Sequence, residues 1–402
     1  MRLLLLAVFV AAALQAASSG HATDPGRPDR AAGRPRARDL GIAPGALSAG
    51  PLNVITDVAG VEVGQTTIIE GDSVRTGVTA IRPHGGNLFQ EKVPGAVFVG
   101  NAFGKLAGST QVNELGTIET PIVLTNTLAV GTAVDAVVRW TLAQPGNEAV
   151  RSVNALVGET NDGTLNDIRG MHVTREHVEA AIQNARPGTV DEGTVGAGAG
   201  TIAFGWKGGI GTSSRVVHVG SDAWTVGVLV QTNYGGRLVI NGVSIWRDLT
   251  PNPNPNREPR TANGTAEPPN LRTAEPHASA DGSCMIVVAT DAPLDSRNLQ
   301  RLAGRAVFAL ARTGSTYSNG SGDFAIAFST HASLRVTAAL APQPRTLLPT
   351  DAVSPLFEAV MDATEEAVDN SLLRATDVTA NGRTIRALPI DALEALLKKG
   401  GR

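Results

Sequence analysis

The 402-residue chain contains one cysteine, Cys284. A single cysteine forms no internal disulfide and no cysteine-built zinc site. No apolar run of about 20 residues follows the N-terminus, which excludes a polytopic membrane architecture. Neither sign of charge is in excess. The formal net charge is −3, so no general affinity for nucleic acid or anionic membranes is expected. H-E-x-x-H is absent, and His172 and His177 are spaced i, i+5 rather than the i, i+4 of a helical zinc pair, so no metal site is expected. No G-x-S-x-G elbow supports a Ser-His-Asp triad, and no repeat period is visible. The material for a core is ample: 42% of residues are hydrophobic and 18% charged. Forty-five glycines favour a fold with many tight turns.

Arg2 precedes twelve apolar residues, Leu3–Leu14, and small residues then dominate to Ala22. This is the order of a secretory signal peptide, and its apolar stretch is short for a membrane span. Residues 1–22 are therefore read as a signal, and 23–50, rich in Pro, Arg, Gly and Ala at their start, as an exposed leader. The mature protein is expected to be exported, to a periplasm or similar space, with no membrane attachment once the signal is removed. Its stability would come from packing or oligomerisation rather than disulfides.

Residues 51–250 mix strands and helices. Asn53–Val63 reads as a strand with a turn at Gly60, Ala96–Val99 as a short buried strand, and Pro121–Leu128 as extended. Val130–Leu142 has helical spacing, as does Arg175–Ala185. Thr225–Gln231 and Arg237–Ile240 read as buried strands around an Asn233–Gly236 turn. Residues 251–282 differ: prolines crowd the segment and Leu271 is its one large aliphatic residue up to position 280, so it reads as an exposed linker. Order returns with the strand Cys284–Ala289, a helix capped at Asp295 or Ser296 and ended by Gly314, and an alternating strand Phe324–Phe328. Helices starting at Ser354-Pro355 and spanning Asp391–Lys399 follow. Residues 283–402 thus complete the domain begun by 51–250.

Gly196-Ala197-Gly198-Ala199-Gly200 resembles a dinucleotide loop only superficially, since Thr201 stands where the third glycine belongs. A turn or close backbone packing accounts for it better. Five Gly-Ser pairs occur, and only Gly282-Ser283 joins the proline-rich segment to a hydrophobic strand. A cut there would make Ser283 the first residue of a buried strand, with hydroxyl and α-amine on one residue. An α-amine of ordinary pKa about 7.7–8.0 can accept the hydroxyl proton without histidine. Glycine before the serine lets the hydroxyl approach the scissile carbonyl. The plain alternative is a turn ahead of a strand.

The stretches Asp281–Leu294 and Leu310–Asp323 resemble the self-processing serine aminopeptidases, the family of L-aminopeptidase/D-amino-acid esterases and β-peptidyl aminopeptidases. Ile55–Gly64, Gly100–Gly108, Ile118–Leu128, Val157–Ile168, Trp206–Arg215, Val230–Gly236 and Asp377–Thr384 continue the resemblance in order. It implies a four-layer α/β/β/α sandwich of N-terminal-nucleophile type, cut between Gly282 and Ser283 into α and β chains that stay associated. Tetramers of αβ units and the absence of a cofactor are further implications. Position by position, the resemblance implies Ser283 as nucleophile and Ser321 as the serine bonding near its amine. Asp323 would be the acid beyond, Asn233 the oxyanion donor, and Glu159 the carboxylate that receives the ammonium of a substrate with a free N-terminus. Asn161 and Asn101 are assigned to substrate binding. Ala102 stands where the family often has Gly, and Asn161 where some members carry Tyr. With the secretory signal, these lean the expectation towards a β-peptidyl aminopeptidase that removes residues such as β-alanine from small peptides or amides. The runner-up is an L-aminopeptidase/D-esterase-amidase. An ornithine-acetyltransferase-like enzyme would use Thr as nucleophile, and a secreted binding protein would not be cut. Cys284, one residue beyond Ser283, should face away from the site by strand alternation and pack as a small hydrophobe.

Overall fold

Unbroken aliphatic runs form the central strands here, and helices with one apolar stripe cover them. The computed structural model describes residues 33–251, 282–338 and 341–400, which belong to one compact unit. Residues 1–22, expected to be a signal peptide, and nearly all of the proline-rich segment lie outside the described residues. The chain runs β1 (Glu62–Glu70), β2 (Val74–Arg82), β3 (Val93–Ala102), β4 (Leu106–Ala107), α1 (Ser109–Leu115), β5 (Thr117–Ile118), β6 (Ile122–Asn126) and α2 (Val130–Leu142). It continues with β7 (Leu156–Thr160), α3 (Arg175–Gln183), β8 (Ile202–Ala203), β9 (Trp206–Lys207), β10 (Ile210–Val219) and β11 (Asp222–Asn233). The remainder is β12 (Gly282–Thr290), α4 (Ser296–Ala309), β13 (Ser321–Ser329), α5 (Ser354–Leu373), β14 (Val378–Ala380), β15 (Arg383–Ile385) and α6 (Ile390–Lys399).

Two sheets carry the fold, ordered β1-β2-β6-β7-β4 and β10-β11-β12-β13-β3-β5. Alternation along each strand sorts the side chains into layers. Val78, Ala80, Val123 and Val157 of the first sheet pack under α2 and α3. Ile81, Ile122, Leu124 and Leu156 meet Leu229, Met285, Val287, Phe324 and Ile326 of the second sheet. Val228, Ile286, Val288, Ala325 and Ala327 lie under α4 and α5. The architecture is the four-layer α/β/β/α sandwich. All of β13 is buried because both faces of its sheet are covered, so the alternation expected at Phe324–Phe328 separates two buried layers rather than core from solvent.

The structure departs from expectation at three places. Residues 33–50 are docked, not an exposed leader. Arg34 donates to the carbonyls of Leu373 and Leu388, both at 2.7 Å, Arg38 pairs with Glu366 of α5, and Ala37 and Ile42 are fully buried. A composition rich in arginine reads as solvated, but these guanidinium groups have partners. The strand expected from Asn53 begins only at Glu62. Before it, the Asp57 carboxylate accepts from the N–H groups of Leu52 and Val54 and holds a 3-10 turn at Ile55–Asp57. Arg237–Ile240 forms no strand, because Arg237 and Val239 spend their N–H groups on the carbonyls of Gly314 and Thr313.

Candidate active site

Ser283 is the second residue of β12, whose neighbours on both sides set its surroundings. β11 runs antiparallel with Asn233 directly opposite Ser283, and β13 runs parallel with Gly322 beside it. Ser283, Asn233 and Gly322 therefore share the sheet face that looks towards the first sheet. Ser283 is buried, as is Asn233. The Asn233 Oδ1 accepts the Ile202 N–H at 3.0 Å. That bond takes the oxygen end of the amide and leaves the NH2 end directed away from Ile202, the orientation a donor to a developing oxyanion needs.

Two glycines frame the serine. Gly282 has φ +151°, and a Cβ on it would stand 2.1 Å from the Asn233 carbonyl oxygen, so no side chain fits before Ser283. A Cβ on Gly322 would lie 3.1 Å from Ser283 Oγ and 2.8 Å from the Phe103 carbonyl oxygen. The hydroxyl keeps its space because Gly322 lacks a side chain, and the close approach of β11 to Gly282 requires the same there.

Ser321 and Asp323 flank Gly322 and so project from the opposite face, towards the helices α4 and α5. Ser321 donates to Asp323 Oδ2 at 2.8 Å, while Asp323 Oδ1 is buried without a hydrogen-bond partner. Burial pushes the Asp323 carboxyl up to about 6, with the Ser321 bond pulling the other way. Cys284 lies in register with Asp323 on this same face, fully buried. Burial, and secondarily the Asp323 charge, hold its thiol well above the ordinary value. A thiol so placed stays protonated and behaves as a small apolar group.

Glu159 is the penultimate residue of β7 in the first sheet. Its Oε1 accepts the Lys105 N–H at 3.0 Å and lies 3.6 Å from Lys105 Nζ, and its Oε2 accepts the Thr127 hydroxyl. Gly104 links this carboxylate to the serine. A Cβ there would lie 3.4 Å from Glu159 Oε1 and 3.4 Å from Gly322 Cα. Glu159, Gly104, Gly322 and Ser283 thus form one contiguous line. Lys105 and Thr127 escaped the sequence reading, although Lys105 falls within the Gly100–Gly108 block. Asn101 is placed differently from expectation. Its Nδ2 donates to the carbonyls of Ser318, Asn319 and Ser321, so it clamps the turn that enters β13 rather than presenting a free amide to substrate. Asn161 is exposed and accepts the Gly163 N–H at 2.9 Å, which fixes the turn after β7.

Residues 53–385 match the model of peptidase family S58. The beta-peptidyl aminopeptidase BapA of Sphingosinicella microcystinivorans is 43% identical over 384 residues, covering 91% of this chain and 92% of that protein. A Burkholderia sp. beta-aminopeptidase superposes with a TM-score of 0.79 at 36% identity, over 92% of this chain and 99% of its own. The L-aminopeptidase D-Ala-esterase/amidase of Ochrobactrum anthropi, described as a variant of the Ntn-hydrolase fold, superposes with a TM-score of 0.80 at 34% identity, over 92% and 99%.

Proposed function

This chain belongs to peptidase family S58, and on that footing we propose that it is a β-peptidyl aminopeptidase whose nucleophile is Ser283, freed by self-cleavage after Gly282. The observation that carries the reading is the placement of Ser283. It heads a central strand behind a glycine that tolerates no side chain, with the amide of Asn233 cross-strand from it.

In the precursor, Ser283 Oγ attacks the Gly282 carbonyl carbon. The C–N bond breaks, an ester joins Gly282 to Oγ, and the Ser283 nitrogen becomes an amine. Water hydrolyses the ester, leaving the Gly282 carboxylate and a free hydroxyl. In the mature enzyme that amine accepts the Oγ proton as Oγ attacks the substrate carbonyl. Asn233 Nδ2 donates to the oxyanion, and the Ser283 ammonium returns the proton to the leaving amine. Water then cleaves the acyl ester and releases the N-terminal residue. Ser321 and Asp323 hold the Ser283 amine from the other face. Glu159 receives the substrate ammonium, which gives the demand for a free N-terminus, since an acylated substrate would leave a buried carboxylate unpaired. No step draws on a metal or organic cofactor.

The leader sequence supports export to a periplasm, with signal removal upstream of the docked Arg34 and Ala37. A tetramer of αβ units is the expected assembly. The Ochrobactrum neighbour favours a second reading, aminopeptidase or amidase action on ordinary L- or D-residues. Hydrolysis of β-alanyl, L-alanyl and D-alanyl anilides by the processed protein separates the two. The proposal expects the β-alanyl anilide to have the highest kcat/KM, and a preference for either α-residue would overturn it.

A further inference from the structure

The glycine cluster Gly196–Gly200 and a fully buried lysine, Lys207, have no part in the mechanism above, yet they meet beside Asn233. Lys207 Nζ donates to the carbonyl of Gly198 at 2.8 Å and to that of Gly208 at 2.7 Å. Gly198 lies in the cluster, which packs backbone against backbone. A Cβ on Gly198 would meet the Ile210 nitrogen at 2.5 Å, and one on Gly200 the Arg75 carbonyl oxygen at 2.1 Å. Lys207 also pairs directly with Ile202 across the small β8–β9 hairpin. Ile202 is the residue whose N–H holds Asn233 Oδ1. Two further bonds tie this region together: Phe204 of the hairpin turn donates to the carbonyl of Tyr234, just beyond β11, at 2.7 Å, and Thr232 of β11 donates to the carbonyl of Gly209, just beyond β9, at 3.0 Å.

We propose that Lys207 is a positioning residue for the oxyanion donor: by joining the Gly198 and Gly208 carbonyls it fixes the hairpin whose Ile202 N–H sets the orientation of the Asn233 amide. The inference rests on the reading of Asn233 as that donor. A buried lysine is a costly choice for a purely structural link, since burial lowers its ammonium to about 7, opposed only by the Asp162 charge. Neutral or charged, the amine keeps at least two N–H donors, which is the number of carbonyls it serves. Released from Ile202, the Asn233 amide could rotate and present its oxygen to the oxyanion, turning a stabilising dipole into a repulsive one.

The test is a double-mutant cycle on the processed full-length enzyme with β-alanyl anilide. Asn233→Ala is expected to lower kcat about 10²- to 10³-fold, the usual cost of one oxyanion donor. Lys207→Met is expected to lower kcat about 10- to 100-fold, the scale of a small misplacement, with KM changed less than about threefold. The double variant should then match Asn233→Ala alone within about twofold, because Lys207 acts only through Asn233. Losses that multiply, or a Lys207→Met effect confined to KM, would overturn the proposal. An unaltered kcat in Asn233→Ala would overturn the oxyanion reading itself, and the proposal with it. If Lys207→Met gives no soluble protein, Lys207→Gln supplies the same cycle. It retains two N–H donors on a shorter stem, and the same non-multiplying pattern is required of it.

Discussion

The two faces of β12 and β13 at their N-terminal ends are built oppositely. The face towards the first sheet carries Ser283 with Gly322 beside it and Asn233 opposite, a hydroxyl given space by missing side chains. The face towards α4 and α5 carries Cys284, Ser321 and Asp323, buried groups whose thiol and carboxyl are both pushed above their ordinary values. A side chain on one face of a strand cannot hydrogen-bond through the sheet to the other. The backbone nitrogen of Ser283 lies in the sheet plane between them. As a peptide N–H it cannot accept a proton, and as an α-amine it can. On the proposed mechanism, cleavage after Gly282 is the step that couples the nucleophile face to the acid face.

Ser283→Ala breaks the comparison most completely. It is expected to remain one uncut chain with no activity above background, read by denaturing gel and anilide assay. Gly322→Ala fills the open face instead. With its Cβ 3.1 Å from Ser283 Oγ and 2.8 Å from a backbone carbonyl, it should lower kcat about 10- to 100-fold.

The acid face is sharpened by Asp323→Asn. Below about pH 6 the wild-type carboxylate takes up a proton and stops accepting from Ser321, so kcat should fall there, and the variant should lack that step. Stability has its own sign. The folded carboxyl sits near 6 against an ordinary 3.8, so the folded state binds the proton more tightly than the unfolded one. The stabilisation from protonated Asp323 is full below about pH 4 and lost as pH rises to about 6. The difference in denaturation midpoint, wild type minus Asp323→Asn, should therefore decrease over that range and level off above it. The smallest effect belongs to Lys105→Met. Its side chain is 56% exposed and the pair to Glu159 is long, so KM should change less than about threefold.

Much of this was legible in the sequence. Val130–Leu142 is helical over the full span expected, Asp295 caps α4, and Cys284 turns away from Ser283 as alternation requires. Ser283 stands out as the expected nucleophile because only one Gly-Ser pair joins a proline-rich stretch to an apolar strand. What escaped was non-local. The docking of residues 33–50 depends on carbonyls and a carboxylate more than 300 positions away in the chain. The clamp of Asn101 on the β13 turn, and the hold of Ile202 on Asn233, depend on strand order and register that no local pattern encodes.

The central claim is that Ser283 acts through an amine it acquires by cleavage. N-terminal sequencing with intact-mass measurement of the purified wild-type protein tests it most directly. The account requires two associated chains, one ending at Gly282 and one beginning at Ser283. A fully active enzyme that remains a single chain across that bond would contradict it.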